Sequence, residues 1–100
     1  MRIGGLYKLN PLYNNHEGKQ LYDIRMLENF LEEYKDTTFI SDFISDVYLM
    51  DDDIIMLIET DLFYSHVPAL KETRFIKILL KNFIYLFPYN LYKSNIFVEV

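Results

Sequence analysis

The sequence predicts an α+β fold: a curved antiparallel sheet or small barrel, with one helix inserted near residues 22–35. Apolar residues recur at helical spacing through Ile24, Leu27 and Leu31. From residue 37 onward apolar and polar residues alternate instead, which is typical of strands. One hundred residues with 51% hydrophobic composition fit a single domain, which we assign to residues 1–100.

One strand precedes the predicted helix. Residues 3–9 have strand composition, and Gly4-Gly5 within them predicts a bulge or a close approach to another part of the backbone. The helix starts at Gln20 or Asp23, of which the aspartate has the better side chain for an N-cap.

Two further strands follow the helix. Residues 37–50 read as a long strand that bends or breaks near Ser45, and residues 54–58 read as a second strand. The triplet Asp51-Asp52-Asp53 lies between them. We therefore expect these two strands to form a hairpin with an acidic turn.

The C-terminal third contains a second predicted hairpin and a closing strand. Residues 75–80 and 83–87 are joined by Lys81-Asn82, which reads as a tight turn. After a short coil or a single helical turn, residues 96–100 form the last strand.

The apolar faces of these elements predict the core, and Leu57 is among its central members. The full predicted set is Leu6, Leu27, Leu31, Phe39, Val47, Leu49, Ile55, Leu57, Phe75, Ile78, Ile84, Leu86 and Val98.

Three segments carry a family resemblance: an opening IGGLYKL, a middle DVYLMDDDIIMLIE and an end RFIKILLKNFIYLFPYNLYKSNIFVEV. Their order is similar to the layout of small SH3-like barrels, including those of short phage-encoded proteins. In that layout a final hairpin is followed by one helical turn and a closing strand. The resemblance implies a viral protein that acts in the cytoplasm of a host cell. The chain lacks an ALYDY-type segment and has no tryptophan, unlike peptide-binding SH3 domains.

Charge is distributed unevenly along the chain, whose net charge is −5. No lysine or arginine occurs between Lys35 and Lys71, so the carboxylates of that stretch should give one region a fixed negative field. Such a field suits an anti-defence inhibitor that mimics DNA and occupies the basic, nucleic-acid-binding surface of a host protein. The residues proposed for this contact are Asp42, Asp46, Asp51, Asp52, Asp53, Glu59 and Asp61.

Aromatic residues support an alternative function. Nine tyrosines and eight phenylalanines are many for one small core, and Tyr85, Tyr89 and Tyr92 lie close together in the sequence. Tyrosine is enriched in binding hot spots. These tyrosines form either the rim of a filled core or a surface through which an adaptor binds protein, or through which the chain forms a homodimer.

Catalytic and cofactor signatures are missing from the sequence. It contains no phosphate-binding glycine loop and no nucleophile elbow, and the aspartate triplet lacks the ligand spacing of a calcium loop. Zero cysteines and the lack of a signal-like apolar segment favour a cytoplasmic protein. We therefore expect a non-enzymatic protein without cofactor or metal, with no direct nucleic-acid partner and no membrane partner.

Overall fold

The computed structural model describes residues 1–13, 18–23, 43–65, 67–92 and 95–100. Within these ranges the chain forms one seven-stranded sheet of order β3-β2-β6-β5-β4-β1-β7, in which every neighbouring pair is antiparallel. The sheet curls into a half-barrel. The strands are β1 Leu6–Leu9, β2 Lys19–Asp23, β3 Ile44–Leu49, β4 Ile55–Leu62, β5 Phe75–Leu80, β6 Phe83–Pro88 and β7 Phe97–Glu99. Single 3-10 turns occupy Pro11–Tyr13, Pro68–Leu70 and Tyr89–Leu91.

The α+β prediction is wrong, because the described residues form an antiparallel sheet with short 3-10 turns and contain no α-helix. The start predicted for the helix near residues 22–35 is part of β2, which pairs with β3 on one side and β6 on the other. The rest of that predicted helix, residues 24–35, lies outside the described residues. Pairing on both sides satisfies the backbone groups of β2 as a strand, which outweighs a helical spacing of apolar residues.

The hairpin predicted across the aspartate triplet is also wrong. β3 is an edge strand that pairs with β2, whereas β4 pairs with β1 and β5. A tight turn in which Asp53 N–H donates to the Met50 carbonyl oxygen at 3.2 Å carries the chain between the two strands. The period-two pattern identified the strands correctly, but it carries no information about which strands are neighbours.

Two sequence predictions about turns are confirmed. Lys81 and Asn82 form the two-residue turn between β5 and β6, with φ angles of 49° and 72°. Positive φ at both positions matches the right-handed twist of a hairpin, and asparagine tolerates it well. Gly4 has a φ of 84°, and its N–H donates to the Leu57 carbonyl oxygen at 2.7 Å. This glycine therefore allows the close backbone approach that its position predicted.

The predicted break of β3 near Ser45 coincides with a register shift between β2 and β3. The Ser45 hydroxyl donates to the Leu21 carbonyl oxygen at 2.8 Å and accepts from the Val47 N–H at 3.1 Å. The Gln20 side-chain amide donates to the Ser45 carbonyl oxygen at 3.1 Å. These bonds satisfy backbone groups that the shifted ladder leaves unpaired.

Both faces of the sheet carry apolar side chains. Alternate residues of a strand point to opposite faces, and on β5 the side chains of Ile76, Ile78 and Leu80 belong to the core inside the half-barrel. This inner core draws on the strands at both ends of the sheet, which is why the sheet curls. Its buried members are Tyr7, Leu9, Leu21, Leu49, Ile55, Leu57, Ile76, Ile78, Leu80, Phe87, Ile96 and Phe97.

A second cluster lies on the outer face. Phe75 of β5 and its neighbours on the same face are covered by the connection between β4 and β5 and by Phe43. The Phe75 ring makes edge-to-face contacts with Tyr22 and Tyr64 at centroid distances of 5.1 and 5.7 Å. The buried members of this outer cluster are Tyr22, Phe43, Val67, Leu70, Phe75 and Leu86.

The core prediction is largely confirmed for the described residues, with three exceptions. Leu6 and Ile84 are 48% and 43% exposed, and Val98 is half-buried and belongs to neither core cluster. All three lie on the outer face of the sheet, and an apolar side chain alone does not tell which face is covered. Leu27, Leu31 and Phe39 lie outside the described residues.

We expect Leu57→Ala to lower the free energy of unfolding by about 2 to 5 kcal/mol, because the side chain is fully buried in the inner core. The matched control is Leu6→Ala on the neighbouring strand, which should cost about 0.5 kcal/mol, since half of that side chain is exposed. Urea denaturation of both variants measures the difference. A larger loss in Leu6→Ala than in Leu57→Ala would mean that the two faces of the sheet have been exchanged, and equal losses would contradict the difference in burial.

Candidate functional site

The acidic residues proposed for partner binding fall at separate places. Asp42 lies outside the described residues. Asp46 is exposed on the edge strand β3, and Asp51 to Asp53 occupy the turn after β3. Glu59 and Asp61 lie in the second half of β4, which is not a neighbour of β3. The structure therefore does not bring them together as one acidic surface.

Three of these acids face bases that border or belong to β5. Asp61 lies 3.5 Å from an Arg74 guanidinium nitrogen, and Glu59 lies 3.2 Å from Lys77 Nζ. In both cases the bulges of β4 set the register that brings the charges together. These pairs offset much of the negative field that the sequence predicted.

Asp53 forms a third ion pair and also has a structural role. Its carboxylate lies 3.5 Å from Lys81 Nζ and accepts a hydrogen bond from the Met50 N–H at 2.9 Å. Its side chain is only 10% exposed. The presence of an aspartate at position 53 is therefore explained by a structural role, since its carboxylate closes the turn.

The three candidate tyrosines belong to the rim of the inner core. Tyr85, Tyr89 and Tyr92 are partly buried and pack against it. The Tyr92 ring stacks on Phe87 at a centroid distance of 5.0 Å, and the Tyr89 ring stacks on Phe97 at 6.4 Å. Of the two interpretations of these tyrosines, the packing favours the filled core.

These rings form a continuous aromatic stack with a cation at each end. Lys19 Nζ lies 5.7 Å from the Tyr92 centroid, and the Arg74 guanidinium carbon lies 5.4 Å from the Tyr89 centroid. Phe87 and Phe97 connect the two halves edge to face at 4.9 Å. In order, the stack is Lys19, Tyr92, Phe87, Phe97, Tyr89 and Arg74.

Sequence reasoning missed a row of exposed apolar side chains on the outer face. Leu6 pairs with Met56, Met56 with Leu79, and Leu79 with Ile84. Val100 extends the row, because its N–H donates to the Leu6 carbonyl oxygen at 3.0 Å. We call this set the apolar row: Val100, Leu6, Met56, Leu79 and Ile84. It lies in register across β1, β4, β5 and β6, on the face opposite the inner core.

A signal for the apolar row was present in the sequence. β5 reads Phe-Ile-Lys-Ile-Leu-Leu, so that Leu79 is apolar on one face while Ile76 and Ile78 are apolar on the other. A strand that is apolar on both faces needs either a cover or a partner on each of them. The sequence of β5 therefore indicates that both faces need a cover, but it does not indicate which part of the sheet remains exposed to solvent.

A cavity of about 220 Å³ opens beside Arg74. It is lined by Met1, Thr60, Asp61, Arg74, Ile76 and Tyr89. We call it the Arg74 cavity. It combines one cation, one carboxylate, a hydroxyl and an aromatic wall, and it lies at the Arg74 end of the aromatic stack.

Metal and membrane features can be stated for the described ranges only. No group of three or more histidine, cysteine, aspartate or glutamate side chains in those ranges is arranged to hold a metal ion. Nor does any helix there have the length and apolar character needed to cross a membrane.

No protein-family model, curated protein or solved structure matches this chain. The apolar row and the Arg74 cavity are therefore the features from which we infer function.

We expect Asp53→Ala to lower the free energy of unfolding by about 1 to 3 kcal/mol, because it removes a charged acceptor that closes the turn. Asp52→Ala changes an exposed neighbour and should stay within about 0.5 kcal/mol of the wild type. Thermal and urea unfolding at one pH provide the comparison. Equal stability of the two variants would show that all three aspartates only solvate the turn.

The buried tyrosines predict a loss of stability at high pH. Burial raises the pKa of Tyr92, and burial together with the nearby Tyr92 charge raises the pKa of Tyr22. A pKa raised in the folded state contributes stability that is complete below the unfolded value, near 10. That stability is lost as the pH rises through the folded pKa.

We therefore expect the free energy of unfolding to fall above about pH 10, and to fall less steeply in the double variant Tyr22→Phe/Tyr92→Phe. Tyr48→Phe is the control, because this tyrosine is 47% exposed. Urea titrations across this pH range measure the slope. An unchanged slope in the double variant would contradict the assignment.

Proposed function

We propose that the protein is a non-enzymatic protein-binding module that binds its partner through the apolar row. The observation that supports this is five apolar side chains in register on an uncovered sheet face. Leu6, Ile84 and Val100 are 48%, 43% and 59% exposed. A contiguous exposed apolar patch of this kind marks interaction sites in monomeric proteins.

The dimensions of the apolar row suit a protein contact. Neighbouring strands lie about 4.8 Å apart, so five side chains in adjacent strand positions extend over about 19 Å. Met56 and Leu79 at its centre are half-buried, and a methionine there can adapt its shape to a partner. The flanking outer cluster is already buried beneath the β4–β5 connection and is therefore not available to a partner.

The charged residues around the apolar row indicate what kind of partner would bind there. Lys8 and Lys81 are exposed along one side, close to the exposed Ile54, while Glu59 and Lys77 form an ion pair on the other side. An apolar centre with a charged rim is the usual arrangement of an interface. The occupant we propose is another protein with an apolar groove that has a carboxylate on the side facing Lys8, because Lys81 is already paired with Asp53.

Shape favours such a partner over a second copy of the chain. The apolar row lies on the outer, convex face of the half-barrel, and two convex faces touch over a small area only. A groove on a different protein can surround the row and exclude water from it, as binding hot spots require.

The acidic-decoy hypothesis has less support. Among the described candidates, Asp53, Glu59 and Asp61 are engaged in ion pairs, and their charges are therefore partly neutralised before any partner arrives. Binding through the apolar row would still make the protein an inhibitor if it blocks a host enzyme, or an adaptor if it joins two proteins. The curled sheet supports only the barrel-like part of the resemblance, and a phage origin stays a proposal.

The test compares two surface variants after a partner has been captured from a lysate of the cells in which the protein occurs and then purified. Leu6→Ser/Ile84→Ser should weaken binding by at least about tenfold, because each exposed apolar contact is worth roughly 1 kcal/mol or more at an interface. Asp46→Asn/Asp52→Asn is the control and should leave the affinity unchanged. Isothermal titration with the purified partner measures both.

Two results would reject the proposal. The first is full affinity in the Leu6→Ser/Ile84→Ser variant with a native circular dichroism spectrum. The second is loss of binding in the acidic control only, with a steep fall in affinity as salt increases, which would favour the decoy. Sedimentation of the protein alone tests for a homodimer, and dissociation of such a dimer by the same leucine and isoleucine changes would assign the row to a second copy instead.

A further inference from the structure

We propose that the Arg74 cavity binds a small zwitterion of the α-amino-acid class. The site is separate from the apolar row and does not depend on the function proposed for that row. Its volume of about 220 Å³ is below the range of roughly 300 to 1,000 Å³ that drug-sized ligands occupy. The ligand must therefore be small.

Arg74 is held in a fixed position. Its guanidinium lies over the Tyr89 ring at 5.4 Å, and that ring stacks on Phe97. The Arg74 backbone N–H donates to the Asn90 side-chain oxygen at 2.9 Å, and the Asn90 amide donates to the Glu72 carbonyl oxygen at 3.0 Å. These bonds join the backbone at the start of β5 to the 3-10 turn that carries Tyr89. The guanidinium itself is restrained by its contact with the Tyr89 ring, which reduces the freedom that it loses when a ligand binds.

The donor capacity of Arg74 is incompletely used within the described part of the chain. One guanidinium nitrogen lies 3.5 Å from an Asp61 carboxylate oxygen. A charge-assisted hydrogen bond is about 2.7 to 2.9 Å long, and a carboxylate bound by arginine often takes two parallel bonds. A ligand carboxylate can therefore form the short, paired contact that Asp61 does not make.

Asp61 lies on the same cavity in an unusual conformation. Its φ of 57° is in the left-handed region, and it lies at a register shift of β4 against β5. Aspartate tolerates this conformation, and the bulge redirects its side chain toward the cavity that it lines. The Asp61 side chain is 68% exposed, so its carboxylate can accept a hydrogen bond from a ligand ammonium group.

The two charges together select the ligand class. A simple anion would be attracted by Arg74 and repelled by Asp61, and a simple cation would meet the reverse. An α-amino acid at neutral pH places its carboxylate on Arg74 and its ammonium on Asp61. Its side chain would then lie along the apolar part of the lining, which Ile76, Met1 and the Tyr89 ring provide.

The test uses three probes of nearly equal size on the wild-type protein: leucine, 4-methylpentanoate and leucinamide. Leucine carries both charges, 4-methylpentanoate carries the carboxylate only, and leucinamide carries the ammonium only. Titrations followed by ¹H–¹⁵N correlation spectra should show saturable shifts at the Arg74 side chain and the Asp61 amide with leucine. Each of the other two probes should bind at least about tenfold more weakly, because one charged contact is lost.

Three variants assign the contacts. Arg74→Lys keeps the charge and removes the paired donors, and Asp61→Asn removes the carboxylate while asparagine tolerates the positive φ. Both should weaken leucine binding by about tenfold or more. Glu59→Gln is the matched control, because it removes a carboxylate from the neighbouring Glu59–Lys77 ion pair outside the cavity, and it should leave leucine binding unchanged.

Any of three outcomes overturns the proposal. 4-Methylpentanoate binding as tightly as leucine would make the cavity a simple anion site, and leucinamide binding as tightly would make it a cation site. A lack of saturable shifts up to the solubility limit of leucine would mean that the Arg74–Asp61 pair is only a surface ion pair. Because the three-probe comparison uses the wild-type protein, it decides the question even if a variant does not fold.

Discussion

The aromatic stack is the interaction on which the half-barrel most depends. Within the described residues the antiparallel sheet ends at β3 on one side and at β7 on the other, and curling it requires contacts between strands that are not neighbours. The stack supplies such contacts, because it connects Lys19 of β2 to Phe87 of β6 and Phe97 of β7. Stacked and edge-to-face rings are favourable beyond the area that they bury. The inner core and the position of Arg74 both follow from this closure.

Curling gives the two sheet faces different environments. The inner face is enclosed, while the outer face can be covered only by other segments of the chain or by a partner. The β4–β5 connection covers the Phe75 end through Val67 and Leu70, and the apolar row remains exposed beyond it. The sheet is apolar on both faces, but only the inner face and part of the outer face are covered. The uncovered part of the outer face is available for binding, and this is the physical basis of the function proposed for this protein.

Folding pairs acidic and basic residues that are far apart in the sequence. The acidic stretch and the later bases are separated in the chain, yet β4 and β5 are neighbours, so Glu59 meets Lys77 and Asp61 meets Arg74. Exposed ion pairs of this kind add little stability, with typical values below about 1 kcal/mol. They partly neutralise the acidic residues of β4, and the Asp61–Arg74 pair gives the Arg74 cavity its one carboxylate and one cation.

Local chemistry determined the features that depend on neighbours in the chain. The turn at Lys81-Asn82, the backbone approach at Gly4, the break at Ser45 and the strand content of the C-terminal third were predictable, because positive φ, hydrogen bonding and alternation act over a few residues.

The tertiary structure alone decided which strands pair and which faces are covered. It turned the start of the predicted helix into β2, separated β3 from β4, and exposed Leu6 and Ile84 while burying Tyr22. These outcomes depend on contacts between residues far apart in the sequence, and the alternation of apolar residues is the same whichever partner or cover is chosen. For the same reason the sequence of β5 showed that both of its faces are apolar, but it did not show where the apolar row or the Arg74 cavity would form, since each is assembled from several elements.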